Sequence, residues 1–146
     1  MSTQPGSRLG VDVGTARIGV AVSDPRGILA TPLETVPATS ARDVDVARVV
    51  ALAREHGVVE IVVGLPLLMS GKEGASARMA REWADALVFA LPDVPIVLVD
   101  ERLTTVVATR ALHSSGRKTK THRPVIDQAA ATELLQSYLD RIRSTS

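Results

Sequence analysis

Cysteine is absent from the 146 residues. That excludes a disulfide framework, a thiol nucleophile and a thiolate zinc site, and it is compatible with an intracellular protein. Aromatic residues are scarce, at 2%, so the core must be aliphatic and base-stacking surfaces must be few. No apolar run approaches the roughly 20 residues needed to span a bilayer, which argues against a membrane partner. Met1 to Ser7 is small or polar and has no apolar stretch of the secretory type; the expectation is a disordered start over 1–7 on a cytoplasmic protein. A dominant charge is missing too. The formal net charge of +1 cannot by itself gather a polyanion, so any electrostatic footprint has to be local.

What is present suits one compact domain, since the length fits a single core and 45% of the residues are hydrophobic, mostly Val, Ala and Leu. Leu9 to Val13 and Ile18 to Ser23 are β-branched runs separated by Gly14-Thr15-Ala16-Arg17, which reads as a hairpin. Ile28 to Val36 supplies a third strand after the turn Pro25-Arg26-Gly27. Asp43 to His56 repeats apolar residues at helical spacing and stops at Gly57. Val59 to Leu65 is a nearly continuous apolar run, as expected of a strand buried on both faces. Lys72 to Leu91 reads as a helix with Ala77, Ala80, Trp83, Ala84, Leu87 and Val88 inward, and Val94 to Val99 as a fifth strand. A helix from Thr104 or Thr105 to Leu112 follows, then a mobile basic loop over 113–123, then a last helix from Pro124 to about Ile142. The predicted order, β-β-β-α-β-α-β-α-α, gives an α/β fold: a five-stranded mixed sheet flanked by helices, the ribonuclease H-like arrangement. The domain should span 8–142, with a disordered tail at 143–146.

Three acidic positions and one basic segment stand out. Period-two alternation puts Leu9, Val11 and Val13 on one side of the first strand and Asp12 with Gly10 on the other. A carboxylate inside a strand needs a partner or a metal to offset its desolvation; pairing with Arg17 is the competing structural explanation. Asp100-Glu101 follows the fifth strand, at the sheet edge where ligand sites commonly form, and either acid could face a site or simply prepare the next helix. Asp127 opens the last helix on the stripe of Ala130, Ala131, Leu134 and Tyr138, where pairing with Arg123 is the alternative to metal ligation. Three carboxylates from separate elements suit Mg2+ or Mn2+, which favour oxygen ligands. His56, His113 and His122 share no metal-binding spacing. Between His113 and Arg123 the chain carries Arg117, Lys118, Lys120 and Arg123 with no acid, a local cationic segment or a solvated loop.

With these residues in view, the chain resembles the YqgF/RuvX family, related in fold to RuvC-type resolvases and ribonuclease H. The resemblance runs from Arg8 to Leu139. It rests on the segment from Gly10 to Asp24, on Val63-Gly64-Leu65-Pro66, on Asp100-Glu101-Arg102-Leu103-Thr104-Thr105 and on Asp127-Gln128-Ala129-Ala130-Ala131. The resemblance implies a nuclease maturing the 16S ribosomal RNA precursor, with cleavage of four-way DNA as the competing assignment, and selects Asp12, Glu101 and Asp127 as catalytic, metal-holding acids. It also implies products with 5′-phosphate and 3′-hydroxyl ends. The implied partners are structured RNA or branched DNA and pre-ribosomal particles, with a second copy of the chain as a further candidate. Where the family usually continues Asn-Met-Asp-Gly, this chain has Leu68-Met69-Ser70-Gly71.

Arg17, Arg102, Arg117, Lys118, Lys120 and Arg123 are the expected phosphate contacts, which position a substrate without reading its sequence. Two rivals remain at this stage. Asp12-Val13-Gly14-Thr15 resembles the phosphate hairpin of the actin, Hsp70 and sugar-kinase superfamily, although those proteins clamp nucleotide between two such domains. A non-catalytic RNA-binding factor is the other.

Overall fold

The computed structural model describes residues 4–39, 41–103 and 123–144, with side chains in the last helix from Gln128 onward. Strands β1 (Arg8–Val13), β2 (Arg17–Ser23), β3 (Ala30–Pro37), β4 (Glu60–Leu65) and β5 (Ile96–Asp100) form one sheet in the order β3-β2-β1-β4-β5. The β1, β2 and β3 neighbours are antiparallel; β4 lies parallel to β1 and β5 parallel to β4. Helices α1 (Arg42–Glu55), α2 (Ala75–Ala90) and α3 (Arg123–Ser144) flank it, and a 3-10 turn covers Glu101–Leu103. The expected helix from Thr104 or Thr105 to Leu112 and the basic stretch over 113–122 lie outside the described residues.

Alternation along β1 sorts the side chains onto two cores. Leu9, Val11 and Val13 join Val46, Val49 and Leu52 of α1 and Trp83, Ala84 and Leu87 of α2 in one cluster. The opposite face is covered by α3, whose Ala130, Ala131, Leu134, Leu135, Tyr138 and Leu139 pack with Ala21, Val62 and Val99. Close approach of this helix requires Gly10: a Cβ there would lie 2.7 Å from Leu135 Cβ and 3.0 Å from the Ala131 carbonyl oxygen. Both faces of β1 and β4 are therefore buried, which is why Val59 to Leu65 reads as a nearly continuous apolar run.

Polar contacts set the direction of α3. Gln128 Nε2 donates to Thr35 Oγ1 at 2.8 Å, near the end of β3, while Gln136 Oε1 accepts from the Ala30 amide at 2.8 Å at its beginning. Further along, Tyr138 donates its hydroxyl to Glu60 Oε2 at 3.0 Å, and Arg8 Nε donates to Glu60 Oε1 at 2.9 Å. Thr35 pairs with Gly19, which pairs with Asp12. Helix α3 thus runs opposite to β1, its first turns at the Asp12 end and its later turns at the Arg8 end.

Several details depart from the sequence reading. Helix α2 starts at Ala75, not Lys72, because 68–72 closes on itself: the Leu68 amide donates to the Lys72 carbonyl at 2.9 Å and the Gly71 amide to the Leu68 carbonyl at 2.8 Å. Val88, expected inward, is 49% exposed; Leu87 and Leu91 are fully buried and take the inward positions of the last turn. Ahead of β1, residues 4–7 lie against the body of the domain, with the Gly6 amide on the Pro25 carbonyl and the Val59 amide on the Ser7 carbonyl, both at 2.9 Å.

Candidate active site

Asp12 lies on the α3 side of β1 and is only 3% exposed, as alternation predicts. Its cross-strand partner on β2 is Gly19. On the other side, β1 pairs in parallel with β4 as far as Val11 and Val63, so Gly64 is the next residue along. Asp12 is therefore bordered by two residues without side chains.

Glu101 occupies one of these spaces. It opens the 3-10 turn after β5 and is 1% exposed. A Cβ on Gly64 would stand 2.5 Å from Glu101 Oε1 and 3.1 Å from its Cγ and Cδ. The glycine is thus a cradle for the Glu101 side chain. Parity explains the choice between the two neighbouring acids: Val97 and Val99 of β5 belong to the α3-side cluster, and Glu101 continues their alternation. Asp100 falls to the other parity and binds Arg102, whose Nη2 donates to Oδ2 at 2.8 Å. This guanidinium, helped by the Arg102 backbone amide and opposed by slight burial, holds the Asp100 carboxyl below its ordinary pKa.

Asp127 is in the second turn of α3 by backbone position, adjacent to Gln128 and hence at the Asp12 end of the helix; its side chain lies outside those described. Residues three, four, seven and eleven further on, Ala130, Ala131, Leu134 and Tyr138, are all at most 1% exposed, so this stripe of α3 is the packed one. Among the described residues no group of three His, Asp or Glu side chains comes together in metal-holding geometry. Two predicted acids, Asp12 and Glu101, are brought to one sheet end on one face, and the helix bearing the third begins there.

The predicted cations are dispersed. Arg17 is the first residue of β2, just beyond the hairpin that follows Asp12. Arg102 is engaged with Asp100. Arg117, Lys118 and Lys120 lie outside the described residues, and Arg123 opens α3 by its backbone. His56 is exposed at the end of α1, away from the acids. The reading of residues missed the Arg8, Glu60 and Tyr138 cluster under α3. Its signal was available: a glutamate inside the apolar run of β4 requires a partner.

The family model described as RuvX, Holliday junction resolvase, matches residues 6–141. The chain belongs to the RuvX family. This RuvX chain is 52% identical over 141 residues to a protein of Kineococcus radiotolerans named "Putative pre-16S rRNA nuclease", covering 97% of this chain and 75% of that one. A protein of Corynebacterium jeikeium with the same name is 54% identical over 144 residues, covering 97% and 92%. Among solved structures, RuvC of T. thermophilus in complex with a Holliday junction substrate aligns with a TM-score of 0.57 at 16% identity, over 94% of this chain and 96% of that one. The RuvX chain therefore has the ribonuclease H-like fold that its strand order suggested. No described helix is long and apolar enough to cross a membrane.

Proposed function

We propose that this chain is a cytoplasmic, metal-dependent nuclease that hydrolyses phosphodiester bonds while the 16S ribosomal RNA precursor is matured, acting on structured RNA in pre-ribosomal particles. The observation that carries this reading is the burial of two carboxylates, Asp12 and Glu101, at 3% and 1% exposure on one face and one end of the sheet, with Gly64 shaped to receive the second. Two buried carboxylates that leave separate elements for the same sheet end offer oxygen ligands to a cation lying between them. The donor set is all oxygen, which fits Mg2+ or Mn2+ rather than a softer metal. Asp12, Glu101 and Asp127 would hold the ion. When bound, such an ion supplies Lewis-acid stabilisation of charge on the phosphate and activation of water.

The chain's own residues have two tasks beside that. The acids fix where the scissile phosphate must sit, and Arg17 with the cations from Arg117 to Arg123 takes neighbouring phosphates. Aromatic stacking has little part: Trp83 and Tyr138 are buried at 4% and 1% exposure, and the exposed Phe89 belongs to α2, across the sheet from Asp12. Recognition therefore leans on backbone shape and charge.

The test is Mg2+- or Mn2+-dependent cleavage of a 16S precursor fragment and of a four-way DNA junction by wild type and by Asp12→Asn. RNA cleavage that disappears in the variant is the expected result. Cleavage of the junction alone would move the substrate to DNA. Cleavage that survives the substitution, or no wild-type cleavage of either polymer, would leave a binding factor. Affinity for the RNA should fall steeply with added salt.

A further inference from the structure

We infer that Asp100 and Arg102 form a clamp that positions Glu101, and that Arg102 is a positioning residue and not a phosphate contact. The inference rests on the nuclease reading in one respect, the role of Glu101.

The two residues flank Glu101 in sequence and close over its peptide. The Arg102 amide donates to Asp100 Oδ1 at 2.9 Å. From the side chain of Arg102, Nε reaches both carboxylate oxygens at 3.1 Å and Nη2 reaches Oδ2 at 2.8 Å. The remaining terminal nitrogen, Nη1, points to the Met69 carbonyl at 3.5 Å. One carboxylate thus receives the backbone and the side chain of the residue two positions on, and the peptide between them is held in its 3-10 turn. That turn sets the direction in which Glu101 leaves the backbone, towards the space over Gly64.

Arg102 is ill placed for a second role. Its side chain is 34% and that of Asp100 19% exposed, and its charge is already matched by a fork-to-carboxylate pair, the strongest ordinary side-chain ion geometry. A phosphate taking the Nε–Nη2 edge would have to displace Asp100 and release the turn that holds Glu101. Lysine offers a point charge and cannot reproduce the fork, which separates the two roles experimentally.

The experiment uses the full chain with Arg102→Ala, Arg102→Lys, Asp100→Ala and the Asp100→Ala/Arg102→Ala double variant. Cleavage kinetics are read on the substrate that wild type cuts. Mn2+ binding is read by electron paramagnetic resonance, and the salt dependence of RNA binding is measured in the non-cleaving Asp12→Asn background. We expect each single variant to lose about 10- to 100-fold in kcat or Mn2+ affinity, as when a group holding a metal ligand is removed, with KM little changed. The double variant should be no worse than either single one, Arg102→Lys should not rescue, and the salt slope should stay at its parent value. A slope reduced by about 0.7–0.9 in Arg102→Ala, restored by Arg102→Lys, with Asp100→Ala fully active, would overturn the clamp. If wild type cleaves nothing, the nuclease reading fails alone: Mn2+ binding and the salt slope still decide between clamp and phosphate contact.

Discussion

Glycines at the site separate function from stability at the level of single atoms. At Gly64 the atoms that a Cβ would meet all belong to one side chain, Glu101 Oε1 at 2.5 Å and its Cγ and Cδ at 3.1 Å. Gly64→Ala should therefore leave the melting temperature within a few degrees while displacing the carboxylate, and a misplacement near 1 Å can cost about 100-fold in rate. Cleavage assays beside thermal unfolding check this. At Gly10 the obstacles are Leu135 Cβ at 2.7 Å and the Ala131 carbonyl at 3.0 Å, which cannot swing away. Gly10→Ala should destabilise the fold by about 1–3 kcal/mol, the range for overpacking, measured by denaturant unfolding. The face of Asp12 was legible from alternation because β1 is a regular strand. The choice between Asp100 and Glu101 was not, because it depends on strand parity: the sequence reading ended β5 at Val99, whereas the strand runs through Asp100 and its alternation carries on into the turn.

Among the elements, α3 shows what the sequence reveals and what it hides. Its apolar stripe was readable from spacing, and Ala130, Ala131, Leu134 and Tyr138 are all buried. Its polar anchor was not, since Arg8, Glu60 and Tyr138 lie on three elements far apart in the chain and meet only after folding. Arg8 and Glu60 are 3% and 1% exposed, so neither charge can regain water if its partner is removed. Glu60→Ala should cost roughly 3–5 kcal/mol, the usual loss when one member of a buried pair is deleted. Tyr138→Phe removes one donor from Glu60 Oε2 and should cost about 1–3 kcal/mol. Chemical denaturation of both variants gives the comparison, and equal losses would refute the buried-pair account. The late start of α2 was equally hidden: Lys72 to Glu73 has ordinary helical composition, and only the backbone closure between Leu68 and Lys72 delays the helix past Gly74.

For the whole molecule, the ion pairs around the rim predict how stability responds to acid. Arg48 of α1 bonds Glu34 of β3 through Nε and Nη2, and Arg54 bonds Asp93 ahead of β5. Hydrogen bonding from Arg48 lowers the Glu34 pKa, that from Arg54 lowers Asp93, and the Leu29 amide leads the backbone donors that lower Asp24. Each carboxyl titrates lower in the folded chain than in the unfolded one. Its contribution is complete above the unfolded pKa, near 4, and disappears as pH falls through the folded value. The melting temperature should hold from neutral pH down to about 5 and decline below about 4. In Arg48→Ala it should start lower at neutral pH, with the gap from wild type closing as acid removes the Glu34 charge. Melting curves across that pH range test both statements. The element order and the mixed five-stranded sheet were legible because antiparallel hairpins precede the βα units; these rim contacts were not, since sequence spacing does not reveal which long polar side chains meet across α1 and β3.

Among the described residues one helix, α3, covers the face of the sheet that bears Asp12, and it follows all five strands in the chain. During synthesis the strands emerge before the helix that buries Gly10, Ala21, Val62 and Val99, and a polypeptide ending before Arg123 holds two of the three proposed acids. On the proposed reading, a cutting centre that needs Asp12, Glu101 and Asp127 together is incomplete on any chain that has not yet reached Asp127, so the order of translation delays cutting until the last acid is made.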